Sequence, residues 1–426
     1  MSDTEVRSQG ASTVVAQGAG EPKLPRRDWI LMPVLGLSTI CLLVFSTEWV
    51  AGRIFRISQS STLSCLILND PSTGVRAIPN SVCSEKTYES QLVEYRFNGC
   101  GHRAGMECGP KPPGTYRIVM VGSSFNFGMR VPREKSFAAL LPAELSRRMG
   151  RKVELYNEAM QWETPTIVSL RFHQVFAEAP DMILWVLTPM DIGNVSVVLP
   201  YVPPQDPVAT GEMKAKELDR MRAALASHSI KDSVLFLWNH AVVALWNRRL
   251  DAFKGSPSGI MLQHVLYASQ SLYLKSSLTV PDSEGGGRKV ELSPEWRSNL
   301  RQFDQEVARI EEQTRAAGVP LVATLVPDRA QAAMLSFGEW PQGYDPYNLD
   351  RQLRAIIVSH GGTYFDILPD LSKIPNPEQH YFPVDGHPDS EGHAMISSLL
   401  AKEMTGGAIP ALGVVAQQQP SLARGR

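Results

Sequence analysis

Ile118-Val119-Met120-Val121-Gly122-Ser123-Ser124-Phe125-Asn126-Phe127-Gly128 decides how this chain is read. Four apolar residues of strand type run into a glycine, two serines and, after Phe127, a second glycine. A helix-like segment, residues 136–148, follows Met129-Arg130-Val131-Pro132. A serine at the C-terminal end of a buried strand, on a tight turn that opens a helix, is where an open α/β sheet places its ligand or nucleophile. The turn presents the hydroxyl, and the helix start offers backbone N–H groups to an anion. Glycine and serine are also ordinary turn residues. The stretch gains its weight from the far end of the chain, where Asp385-Gly386-His387-Pro388 precedes another helix.

Outward from this stretch the chain alternates. Residues 153–156 and 181–187 are predicted strands, and 165–177 a helix with proline at an early helical position. Between 192 and 290 the rhythm breaks into Pro-rich loops, a charged helical stretch (212–226) and an aromatic one (234–246). The aromatic one is too short to span a bilayer and carries Asn239 and His240 in its middle. Three consecutive glycines mark 282–288 as a flexible loop. The alternation then resumes with a helix at 294–317, a strand at 320–326, a helix at 349–360, a short strand at 363–365 and a closing helix at 390–404. Strands alternating with helices, without hairpin signals, predict an α/β fold: three layers, α/β/α, around a mainly parallel sheet. The expected organisation is an α/β domain at 114–405 with a helical insertion at about 192–290. A Cys-containing lead-in, 52–113, ends at the turn-rich residues 109–114, and a flexible tail, 406–426, closes the chain.

The N-terminus is of another kind. Residues 1–27 are polar and small, read as a disordered cytoplasmic lead. WILMPVLGLSTICLLVFS (29–46) is then almost uninterruptedly apolar, without an amphipathic stripe, so 28–51 is predicted to be a transmembrane helix. A cleaved signal peptide is the main rival; the long polar lead and weak small-residue cleavage site argue against it. Lys23, Arg26 and Arg27 before the span, against Arg53 and Arg56 after it, leave only a slight positive-inside bias. Cysteine use points further. Cys41 lies in the span, Cys65, Cys83, Cys100 and Cys108 cluster just beyond it, and none follows. Four cysteines in a short window suit two disulfides in an oxidising compartment. Their spacings are poor for zinc; four unrelated reduced thiols are the plainer alternative. The expectation is a single-pass protein of the inner (cytoplasmic) membrane, partnered by the bilayer, with its C-terminal domain periplasmic or extracellular. A formal charge of −1 over 426 residues gives no support for a nucleic-acid partner.

Gly122 to Gly128 resembles the first block of the SGNH/GDSL hydrolase superfamily, Gly-Asp-Ser-x-x-x-Gly, whose serine is the nucleophile. Asp385-Gly386-His387-Pro388-Asp389-Ser390-Glu391-Gly392-His393 is similar to its last block, which carries the catalytic acid and base. Asn157-Glu158-Ala159-Met160-Gln161-Trp162 falls where the second block does, and Thr188-Pro189-Met190-Asp191 where the third does. Arg96-Phe97-Asn98-Gly99-Cys100-Gly101-His102-Arg103 resembles a segment often preceding this domain in membrane-attached bacterial members. The resemblance spans about residues 115–403. It implies Ser124 as nucleophile, His387 as general base and acid, and Asp385 as the group that orients the imidazole. It also implies an oxyanion hole from the backbone N–H groups of Ser124 and Ala159, and no metal or organic cofactor.

This sequence departs from the family pattern at three positions. Ser123 stands where the family has aspartate, Ala159 where it has glycine, and Met190 where it has an asparagine donor. A thioether donates nothing, and losing one oxyanion donor typically costs ~10²–10³ in kcat. Asn194 and Asn126 are the candidate substitutes. The acid–base spacing is Asp-x-His, a shorter variant also familiar in the superfamily.

The function expected is a serine esterase or O-acyltransferase acting on acyl esters, with an O-acylated cell-envelope or exported glycan as substrate. The alternative is a degenerate, non-catalytic glycan-binding or envelope-assembly protein. Plainer roles stand beside these. Ser124 serves as a turn serine, His387 as a capping or surface histidine, and Asp385 as a turn residue, since Asp389 is a natural N-cap. His393 is expected to pack or lie at the surface, Met190 to sit in the core, and Asp191 to end a strand. Trp162 is either a sugar-stacking or a buried aromatic.

Overall fold

A computed structural model describes residues 27–55, 61–70, 74–195, 250, 252–279 and 285–413. The expected helical stretches at 212–226 and 234–246, and nearly all of the N-terminal lead, lie outside these residues. The chain divides into two units, Met1–Val50 and Ala51–Arg426. The first holds most of helix α1 (Asp28–Ile54). Within it Ile30–Ile54 is the one helix, among the described residues, long and apolar enough to cross a membrane.

In the second unit the lead-in forms two antiparallel pairs, β1 (Leu66–Asp70) with β2 (Gly74–Ala77) and β3 (Val82–Glu85) with β4 (Val93–Arg96). The absence of hairpin signals did not anticipate them. Disulfides join Cys65 to Cys83 and Cys100 to Cys108. Cys65, Val75, Tyr95 and Phe97 share one apolar cluster with Phe127, Met129 and Met160. The lead-in is thus packed onto the residues that follow the central strands, and the expected boundary at 109–114 separates no core.

The central sheet contains β5 (Tyr116–Val121), β6 (Val153–Asn157), β7 (Met182–Leu187), β8 (Leu321–Leu325) and β9 (Thr363–Tyr364), all parallel. Their order is β6-β5-β7-β8-β9. Every residue of β5, β6, β7 and β8 is buried, the consequence of apolar runs covered on both faces. Helix α2 (Ser124–Phe127) is a single turn directly after β5, and α3 (Phe137–Met149), α4 (Pro165–Val175) and α5 (Pro189–Gly193) follow. Right-handed crossovers put α3 on one face and α4 on the other. The insertion contributes α6 (Pro257–Tyr267) and α7 (Gln270–Ser277). Beyond it come α8 (Pro294–Ala317), α9 (Arg329–Phe337), α10 (Asn348–Ser359), α11 (Leu368–Leu371) and α12 (Ser390–Glu403). Helix α12 packs on α3, while α8 packs on α4, α5 and α10. The result is the α/β fold expected, a parallel sheet flanked by helices.

Local chemistry sets the ends of these helices. Thr164, Ser293, Asp328 and Asp389 each accept a backbone N–H of the first turn, and Pro165 and Pro294 open their helices. Helix α8 buries Trp296, Leu300, Phe303, Val307 and Ile310, a three-four spacing that lays one stripe on the sheet.

Two expectations of looseness do not hold where the structure describes them; 282–284 of the expected loop and 414–426 of the expected tail lie outside the described residues. Gly286, Gly287 and Arg288 are buried, and a Cβ on Gly287 would lie 2.8 Å from the Trp296 ring, so these glycines serve packing. The tail expected from 406 stays in the core as far as Leu412, because Ile409 and Leu412 have apolar surface to bury.

Candidate active site

The order β6-β5-β7 puts the change of winding direction between β5 and β7, the place where open α/β sheets bind ligands. Ser124 sits there, at the C-terminal end of β5. Gly122 makes the turn at φ +145°. A Cβ at that position would lie 2.7 Å from the carbonyl oxygen of Val186 and inside contact distance of the Asn126 amide. Gly122→Ala is therefore expected to destabilise the fold by roughly 3 kcal/mol or more, read as a lower urea midpoint.

His387 reaches this turn from the opposite end of the chain. Its Nε2 lies 2.8 Å from the Ser124 hydroxyl, and its Nδ1 lies 2.6 Å from Oδ1 of Asp385. The three side chains form one line of hydrogen bonds. Several contacts hold it. Gly386, at φ +82°, allows the acid and base to stand only two positions apart. The Phe382 and Gly386 amides close the turn, donating to the carbonyls of His387 and Phe382. The ring of Phe125 lies 5.2 Å from the imidazole. Arg130 donates from Nε to Oδ2 of Asp385 at 2.9 Å and pairs with Glu85 at 3.0 Å. Glu89 accepts the amides of Val384 and Asp385, at 2.9 Å and 2.6 Å, and lies 2.7 Å from His264 of α6. Burial alone would raise Asp385, but the hydrogen bond and charge of His387, with the charge of Arg130, bring it down to about 2. Asp385 is thus an anion throughout the ordinary pH range.

The lead-in clamps the nucleophile turn. The buried guanidinium of Arg103 donates to the carbonyls of Phe127, Gly128 and Val131, at 2.8, 2.5 and 2.7 Å, beneath the ring of Tyr95. Desolvation lowers its pKa to about 10, leaving it charged. Tyr95 in turn accepts the Arg130 amide at 3.0 Å.

The second block is pinned by buried charge. His102 lies 2.7 Å from Glu158, which pairs with Arg171; Arg171 also reaches Glu163 at 3.3 Å. Burial pushes Glu163 up to about 7, whereas Arg171 and His102 overcome the same burial at Glu158 and hold it at about 2. His102, Glu158 and Glu178 bring their ligand atoms within 4.8 Å of one another. The Arg171 guanidinium already neutralises Glu158, which makes this an ion-pair network rather than a vacant cation site.

Other expected donors are placed differently. Asn126 is fully buried, and its amide donates to the carbonyls of Val121 and Val186, tying β5 to β7 instead of facing an oxyanion. The Ala159 N–H donates to the Asn157 side chain at 3.2 Å, because that asparagine turns back over its own strand end. Asn194 ends α5 and donates to Met190, at the rim of a cavity beside His387. Met190 is not in the core: it is 63% exposed on that rim, since the first turn of α5 points it outward. Asp191 is the N3 residue of a capping box with Thr188 and also bonds the Ser123 hydroxyl. Burial raises it to about 6. His393 is fully buried in α12, with Nδ1 accepting the Phe137 amide. Trp162 is 43% exposed at φ +62°. Arg130, Glu89 and Arg103 were missed from the sequence. Only the lead-in stretch ending at Arg103 carried any signal of them.

No family model and no curated protein matches the chain. Among solved structures, the crystal structure of TesA is similar to this chain over 68% of its length and 98% of the TesA chain, at a TM-score of 0.34 and 11% identity. A likeness of that size bears no functional weight, and the chemistry of this chain rests on the Ser124–His387–Asp385 geometry.

Proposed function

We propose that this chain is a membrane-anchored serine esterase or O-acyltransferase of the SGNH/GDSL type, acting on acyl esters of an envelope or exported glycan. The observation that carries the reading is the continuous pair of hydrogen bonds from Ser124 through His387 to Asp385. Ser124 Oγ attacks the ester carbonyl while His387 Nε2 takes its proton; Asp385 stabilises the imidazolium. The N–H of Ser124 receives the oxyanion. Collapse of the tetrahedral intermediate breaks the ester C–O bond, and the imidazolium gives its proton to the departing alkoxide. Water or a sugar hydroxyl then attacks the acyl-enzyme, with His387 taking its proton and returning it to Ser124 Oγ as the acyl–serine bond breaks, so one site serves hydrolysis and transfer. The apolar helix α1 and the two disulfides support an anchored domain in an oxidising compartment.

The commitment of the Ala159 amide and the exposure of Met190 favour the second reading, a binding protein with a relic site. A fluorophosphonate probe decides between them. The full chain in detergent is expected to be labelled at Ser124 and to hydrolyse p-nitrophenyl acetate. Ser124→Ala and His387→Ala are expected to lose both activities. Equal labelling and turnover in all three proteins would leave the binding reading standing.

A further inference from the structure

A cavity of about 570 Å³ opens beside His387, within the usual range for ligand pockets of ~300–1,000 Å³. One wall is the loop carrying Asp385 and His387. Gln263, Tyr267 and Tyr273 of α6 and α7, the helices that interrupt the α/β alternation, also line it. Its lining mixes apolar surface, Phe125 and Met190 included, with hydrogen-bonding groups, Ser276, Ser277, Arg288 and Asp328 among them.

The two arginines of the cavity differ. Arg329 has a partner at each of its three nitrogens: it donates to the carbonyls of Tyr267, Glu378 and Pro383 at 3.0, 3.1 and 2.5 Å, and stacks 3.7 Å from the Tyr273 ring centre. Its work is structural, joining the insertion to the His387 loop. Arg288 is 5% exposed, yet among the described residues its acceptors, the Ser277 carbonyl and an Asp328 oxygen, are both 3.4 Å away. Its Nε has no hydrogen-bond partner among the described residues. Contacts of that length lie outside the ~2.7–3.2 Å of a good N–H···O bond. The Asp328 oxygen is also engaged, accepting the Gln331 amide at 2.7 Å as the cap of α9. Among the described residues this buried guanidinium is short of acceptors, and oxygens brought by a ligand would complete it.

Resting on the acyl-transfer reading of Ser124, we infer that this cavity is the subsite for the hydroxylated sugar ring that carries or accepts the acyl group, with Arg288 as its specificity-determining residue. A sugar hydroxyl donates and accepts at once. Neighbouring hydroxyls therefore fit Arg288, a donor, beside the second carboxylate oxygen of Asp328, an acceptor, its first being taken by the Gln331 amide. The ring in this cavity stands next to His387, which takes the proton from the attacking hydroxyl.

The test uses the full chain in detergent, p-nitrophenyl acetate as acyl donor, and methyl β-D-glucopyranoside or hexanol as competing acceptors. Mass spectrometry reads the ratio of acetylated acceptor to free acetate. The glucoside is expected to be acetylated in preference to hexanol. Arg288→Met is expected to lower the glucoside ratio about ten-fold or more, the worth of one charge-assisted hydrogen bond. Gln263→Leu, which removes the amide oxygen left once its nitrogen bonds the Lys254 and Gly259 carbonyls, is expected to lower it in the same sense and covers the case in which Arg288→Met does not fold. A preference for hexanol, or a glucoside ratio indifferent to both substitutions, overturns the subsite. Absence of any turnover in the wild type strikes the triad reading instead. The subsite is then read by saturation-transfer NMR of the glucoside on the Ser124→Ala protein. Signal lost on adding Arg288→Met supports it, and no signal refutes it.

Discussion

Asparagine in place of Asp385 is expected to cut p-nitrophenyl acetate turnover by about 10³–10⁴-fold, as the same exchange does in serine-protease triads. The reason lies in what surrounds the carboxylate. One oxygen faces His387 Nδ1 at 2.6 Å and the other faces Arg130 Nε at 2.9 Å. An amide has one acceptor oxygen and one donor nitrogen. Arginine is always a donor, whereas imidazole can change tautomer. The introduced amide would therefore turn its oxygen to Arg130 and its NH₂ to His387. That forces the imidazole proton onto Nε2, where it faces Ser124 and can no longer receive the hydroxyl proton. Removing the guanidinium frees the amide to turn round, so Arg130→Leu added to Asp385→Asn is expected to regain about ten-fold. A double variant no faster than Asp385→Asn would show that Arg130 does not dictate the tautomer.

Stability is expected to carry two opposed pH dependences in overlapping windows. His393 is buried with its Nδ1 taken by the Phe137 amide; burial first, then the charges of Arg103 and His387, lower its pKa to about 3. The unfolded chain binds that proton near the ordinary value of ~6.5. The contribution is therefore complete above ~6.5 and is lost as pH falls toward 3, by up to ~1.4 kcal/mol per pH unit. Glu163 runs the other way. Its folded pKa is raised to about 7, so its contribution is complete below ~4.5 and is lost as pH rises toward 7. Urea unfolding between pH 4.5 and 7.5 separates them. Stability of His393→Gln relative to wild type should climb as pH is lowered below ~6.5, and that of Glu163→Gln should climb as pH is raised from ~4.5 to 7. Flat difference curves would mean that neither group keeps its buried protonation state.

Much of the architecture was legible because it is written in local periodicity. The apolar runs of β5, β7 and β8, and the three-four stripe of α8, can be read without knowing their neighbours. The two lead-in hairpins were not, since their strands are short and their apolar positions, such as Tyr95 and Phe97, face the nucleophile turn rather than each other. The Gly285-Gly286-Gly287 run read as a mobile loop because glycine signals freedom locally, while its use beneath Trp296 is a property of packing. Met190 read as core because an apolar residue after a buried strand usually is; the direction of the first turn of α5 decided otherwise.

Local pattern along the chain was enough for the parallel α/β alternation, the apolar N-terminal helix, and the choice of the serine, histidine and aspartate that stand at strand and loop ends. Only the tertiary structure decided that these three meet, that Arg130, Glu89 and Arg103 hold them, and that Asn126 and Ala159 are engaged elsewhere. Periodicity is a short-range property of the chain, carried by neighbouring residues. Hydrogen bonds between residues some 255 to 296 positions apart, such as Arg130 to Asp385 and Asp385 to Glu89, exist only once the sheet has brought its strand ends to one rim.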